Sequence, residues 1–226
     1  MSFKSLLVLS SVLAAMSAQA SLTVYQGFDL GANSGDARPN ADAAAAAFDG
    51  AAGTTTLYDF ENAPVGQFSS LSISPGGTLT GTDINNSNQE VRNSTYGTPD
   101  NIWGYNTTAG GSQFGSFFGG WMKVTFSTAV TSFGAYLSGL QVFGNVTFEL
   151  GDGSTQAVAV SNDGSHGGVE FVGGISSLGI KSVHFDGSYD IAAIDDIRTG
   201  EPVPEPATMA ALGLGLAAVA RRRKRA

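Results

Sequence analysis

From Trp121 onward the apolar residues of this chain fall on alternate positions, and a period of two commits the segment to β-strands. Met122, Val124 and Phe126 share one side of an extended chain, with Lys123 and Thr125 on the other. Phe133, Ala135 and Leu137 repeat the pattern. Val146, Phe148 and Leu150 do so again, and Val158 and Val160 return after a Gly151-Asp152-Gly153 hairpin turn. Val169–Phe171 is a short strand, Val183 and Phe185 alternate with Ser182, His184 and Asp186, and Ile191–Arg198 closes the series. Strands recurring at about 8–14 residues with turn signals between them predict a sandwich.

The first half is less regular. Ser21–Phe28 and Thr54–Phe60 read as strands, the second followed by a turn at Asn62-Ala63-Pro64. Val65–Leu79 has strand patches split by Pro75-Gly76-Gly77. Between the first two strands, Pro39–Ala52 predicts the one helix of the body. Proline suits its start, Ala43–Ala47 has high helix propensity, and Gly53 can end it. Phe48 is its one large apolar residue and should dock on the sheet edge. Thr80–Gly111 is polar and turn-rich, an irregular excursion of the kind that carries binding surfaces. The fold class is therefore all-β: an antiparallel, jelly-roll-like β-sandwich with one short N-terminal helix.

Both ends read as addressing segments. Met1–Ala20 has a positive start at Lys4, an apolar stretch at Leu6–Met16, and small residues at Ala18 and Ala20. That pattern is a signal peptide cut by signal peptidase before Ser21. At the other end, Gly200–Pro204 reads as a linker into Pro204-Glu205-Pro206. An uncharged Ala/Leu/Gly run at Ala207–Ala220 comes next, then a basic block of Arg221, Arg222, Arg223, Lys224 and Arg225. An apolar run followed by a cationic cluster is a membrane stop. As a helix the run spans about 21 Å, short of the roughly 30 Å hydrocarbon core, which suits transient retention in an inner membrane. The chain divides into a signal peptide (1–20), a strand, loop and helix (21–53), a β-sandwich domain (54–200) and a tail (201–226).

The tail, from Val203-Pro204-Glu205-Pro206-Ala207 to the Arg-rich end, resembles the PEP-CTERM sorting signal of Gram-negative bacteria. The resemblance implies that an exosortase, a membrane-bound cysteine protease, recognises Pro204, Glu205 and Pro206 and removes the residues C-terminal to them. It also implies export to the cell surface or an extracellular, polysaccharide-rich biofilm matrix. A second likeness covers about residues 55–200. Trp121-Met122-Lys123-Val124-Thr125-Phe126-Ser127 with Phe133-Gly134-Ala135-Tyr136 resembles the core of exported sandwich domains bearing this tail. Tyr58-Asp59-Phe60-Glu61 and Ile194-Asp195-Asp196-Ile197 resemble their first and last core strands.

Composition narrows the chemistry. Residues 21–200 hold 17 acids against 5 bases, a net of −12, which argues against nucleic acid as a partner. The absence of cysteine removes disulfides, thiolate metal sites and thiol nucleophiles. The two histidines, His166 and His184, lack zinc spacing, and no G-x-S-x-G nucleophile elbow occurs. The expectation is a protein that is not an enzyme.

Two groups stand out as candidate sites. If Ile191 and Ile197 point inward, strict alternation buries Asp195 with them, and a buried carboxylate needs donors or a cation. Asp59, Glu61, Asp195 and Asp196 could supply oxygens to a structural Ca2+, with backbone donors as the alternative. Tyr96, Trp103 and Tyr105 in the polar excursion could stack on sugar rings of an extracellular polysaccharide, or could plug the ends of the sandwich.

Overall fold

The computed structural model describes residues 22–73 and 76–203. The signal peptide, its cleavage site at Ser21, the sorting tripeptide and the basic block all lie outside the described residues. Among the described residues the fold is antiparallel and β-rich with one α-helix, as expected of the body.

Two long strands organise it. β8 (Gly120–Ser138) and β11 (Gly168–Ser188) pair antiparallel over most of their length. Each combines what the alternation reads as two separate strands. Register shifts between Ile175 and Ile180, and again before Ser182, bend the pair. The bend also changes parity along β8. Met122, Val124, Phe126 and Val130 are inward on even positions; Phe133, Ala135 and Leu137 are inward on odd ones.

Each side of the bend recruits its own neighbours. The Trp121–Phe126 part of β8 pairs with β5 (Gly77–Thr82), which pairs with β4 (Leu71–Ile73). On the same side, the end of β11 pairs with β9 (Asn145–Leu150), and β9 with β10 (Thr155–Ala159). Beyond the bend, β11 pairs with β1 (Thr23–Leu30), and β8 with β12 (Ala193–Gly200). β12 adds β2 (Thr55–Tyr58) and β7 (Phe114–Ser116), followed by β6 (Glu90–Arg92) and β3 (Gly66–Gln67).

The two halves of this one continuous sheet, one on each side of the bend, close face to face as the two sheets of a sandwich on one apolar core, the half with β1 and β12 being the second. Phe133 reaches across from the second sheet, with ring centroids 6.4 Å from Phe148, 5.9 Å from Phe185 and 6.2 Å from Phe126. All four rings are buried.

The helix α1 (Pro39–Ala52) occupies the residues expected of it and packs on the outer face of the sheet from the edge strand β1 across β11 towards β8. Phe48 is fully buried there, 5.5 Å from Phe171 and 5.9 Å from Tyr25. Gly134 and Gly173 face each other across β8 and β11 beneath it. A Cβ on Gly173 would stand 2.7 Å from the Phe48 ring. Two small residues at one register position make the hollow into which the ring drops, and single-sequence pattern does not reveal it. The helix start is capped from β1: Asp29 accepts from the backbone N–H of Asn40 at 3.2 Å and of Ala41 at 2.8 Å.

The chain after β12 reads as a linker, yet it remains stitched to the body. Thr131 N–H donates to Glu201 O at 2.9 Å, Pro202 bridges Val130, and Val203 N–H donates to Ala129 O at 2.6 Å.

Candidate functional site

β12 departs from strict alternation. Asp196 has φ of +49°, and the pairing with β8 shifts between Asp195 and Arg198. This bulge lets Ile194 and Ile197 both enter the core, three residues apart. Asp195 therefore lies opposite Tyr136, whose ring packs in the outer, helix-side cluster. The inference that Asp195 shares a face with Ile197 is corrected by that one extra residue.

The Asp195 carboxylate is 1% exposed and anchors the loop that follows Tyr105. Its Oδ2 accepts from Thr107 N–H at 2.6 Å, Thr107 Oγ1 at 3.1 Å and Thr108 N–H at 3.2 Å. Oδ1 accepts from Asp196 N–H at 2.8 Å. The Thr108 hydroxyl donates to Asp196 Oδ1 at 2.7 Å. Glu61 grips the other end of the loop. Its Oε1 accepts from Ser112 N–H at 2.7 Å, Gln113 N–H at 2.8 Å and Asn106 Nδ2 at 3.0 Å. Among the described residues Asp59 accepts from Glu61 N–H, at 3.2 Å. Three of the four acids named together from sequence, Glu61, Asp195 and Asp196, thus act as acceptors for one loop, and Asp59 does not reach it. Among the described residues no group of three or more Asp, Glu or His is arranged to hold a metal. Carboxylate oxygens facing several N–H and O–H donors leave little for a cation, so the melting midpoint should be the same in Ca2+ and in chelator. A midpoint raised by Ca2+ would restore the calcium reading.

Burial, and then the neighbouring Asp196, push the Asp195 carboxyl from 3.8 up to about 7, against the donors from Thr107 and Asp196. The folded state therefore holds this proton more tightly than the unfolded state. The stability it contributes is full below about pH 4 and declines as pH rises to about 7, by at most about 4 kcal/mol at 1.36 kcal/mol per unit. Asp195→Asn should remove that slope. Urea midpoints of the two proteins, measured from pH 4 to 7, should differ by an amount that changes with pH; a constant difference would refute the assignment.

The three aromatic candidates are not brought together. Tyr105 is buried, its hydroxyl donating to Ala32 O at 2.9 Å, so it is a plug and not a platform. Trp103 is partly buried beside Gly97. Tyr96 borders a cleft with its ring centroid 5.7 Å from that of Phe118, whereas Tyr105 lines a separate one beside Arg38 and Asp42. Phe118, Trp121 and Tyr189 are exposed aromatics that the sequence pattern did not single out. The signal existed for two of them. Phe117 and Phe118 are adjacent and only one can face inward, and Trp121 has the parity of the outward Lys123 and Thr125.

The histidines stand apart. His166 is exposed in a loop, with Nδ1 3.0 Å from Ser165 Oγ and 3.1 Å from Asp163 Oδ1. One ring nitrogen serves both neighbours, so no relay from hydroxyl through ring to carboxylate is formed. His184 stacks on Trp121 at 5.8 Å and 22°, and burial lowers its pKa.

A cavity of about 780 Å³ lies where the chain leaves the body, bordered by Phe126, Ala129, Leu178 and Lys181 and by Val203 itself. The PEP-CTERM protein-sorting motif matches residues 202–225, beginning at the last stitched residues. Curated proteins give no match to this chain. The motif marks an exported protein that passes through the membrane and is sorted with an exosortase as its processing partner.

Proposed function

We propose that the folded body is a non-catalytic surface or matrix component, delivered by its tail and deposited in association with extracellular polysaccharide. The observation that carries this reading is the junction at Val203. The sandwich holds its own chain by backbone hydrogen bonds up to Val203, one residue before the sorting tripeptide. Cleavage after that point would release the body with its sheets complete. The carboxylates are consistent with a structural role, since Asp195, Asp196 and Glu61 are engaged in holding one loop.

Mass spectrometry of the natural product tests the reading. A mature species lacking residues 1–20 and ending in or just after Pro204–Pro206, recovered outside the cell, is expected. An intact Arg-rich terminus on a cytosolic molecule would overturn it.

A further inference from the structure

A second small cleft, of about 220 Å³, lies at the start of β8. One wall is the aromatic pair Tyr96 and Phe118, each more than a third exposed. The Tyr96 hydroxyl donates to Glu90 Oε1 at 2.7 Å, and the Arg92 guanidinium covers one ring face at 3.8 Å while donating to the same Glu90 oxygen. That leaves Phe118 as the open apolar surface and Glu90 Oε2 as an acceptor with no hydrogen bond among the described residues. Phe118 is held rigidly: its N–H donates to Oε1 of the buried Gln89, whose Nε2 donates to Gly119 O. The exposed side chains of Gln67, Asn85 and Asn88 also line the cleft, none with a side-chain hydrogen bond among the described residues. Asp83 fixes the turn that carries Asn85, accepting from the N–H groups of Asn85 and Ser87.

We propose that this cleft binds a single sugar unit of a neutral polysaccharide. A pyranose has an apolar face of C–H groups and a rim of hydroxyls. Here one open aromatic face is ringed by amides and a carboxylate that together donate and accept, the arrangement such a ring requires. The volume falls below the usual range for drug-sized ligands, which limits the site to one unit, a chain end or a branch. Affinity for a polymer then comes from many weak contacts. Charge selects against anionic glycans: Glu90 and Asp83 line the cleft, and the one nearby cation among the described residues, Arg92, is already paired with Glu90. Position agrees. The body is left by the tail beside Ala129, and eight residues of β8 from Trp121 place the cleft roughly 26 Å away along the strand. The cleft therefore lies clear of the end at which the tail is processed.

The inference rests on the reading of the body as polysaccharide-associated, and the experiment separates the two. The natural exported protein is first checked for tail removal by mass, then applied to an array of neutral and anionic glycans. Retention on neutral glycans, weakened fivefold or more by Phe118→Ala and by Asn88→Ala but not by Val142→Ala, is expected; Val142 is exposed and does not line the cleft. Melting midpoints equal to that of the parent protein exclude misfolding. No retention on neutral glycans, retention unchanged in both cleft variants, or preference for anionic glycans would each overturn the site. Failure of tail removal would instead refute the sorting-based proposal, whatever the array shows.

Discussion

Replacing Pro204, Glu205 and Pro206 by alanine should leave the exported chain unprocessed at its C-terminal end. A proline ring restricts φ to near −65° and disfavours helix in the residue before it, so two prolines around Glu205 favour the extended shape a protease cleft accepts. Glu205 is the only charge between Glu201 and Arg221. Three alanines remove both properties and lengthen the uncharged run to residues 204–220, about 25 Å as a helix, closer to the roughly 30 Å of a bilayer core. Loss of recognition and stronger retention act in the same direction. Fractionation and intact-mass measurement should find the variant in the membrane with its basic block present. The body should melt as before, because its last described backbone hydrogen bond is made by Val203. Normal maturation of the variant would defeat the assignment of the tripeptide.

The second large effect is on the body. Phe133→Ala should cost about 3–5 kcal/mol, the range for removing a fully buried aromatic ring. Phe133 has no exposed surface, and its ring meets Phe126, Phe148 and Phe185 of the facing sheet. The cavity left cannot collapse easily, since each neighbour is held in a paired strand. Such a loss corresponds to a melting midpoint lower by roughly 10 °C in a body of this size. Leu57→Ala, at a side chain 51% exposed, should change stability by no more than about 0.5 kcal/mol. Guanidinium titrations of both variants decide the matter. A cost below about 1 kcal/mol for Phe133→Ala would mean that the two sheets do not close on this ring.

Strand identity, the single helix and the sorting tail were legible in the residue order because each depends on near neighbours. Alternation at Met122, Val124 and Phe126 needs only the pleat of one strand. Pro39 and Gly53 bound the helix through their own backbone preferences. Pro204-Glu205-Pro206 with its apolar and basic sequel is a linear signal. What the tertiary structure alone decided depends on residues far apart in the chain. The bulge at Asp196 moved Asp195 out of the plane of Ile197, because pairing with β8 resumes one register later. Gly134 and Gly173, 39 positions apart, form the hollow for Phe48 only once β8 and β11 are in register. The Tyr96–Phe118 cleft likewise exists only where the excursion folds back on the start of β8. A side chain's periodicity tells which way it points from its own strand; what it meets there is set by long-range pairing, whose register local pattern does not encode.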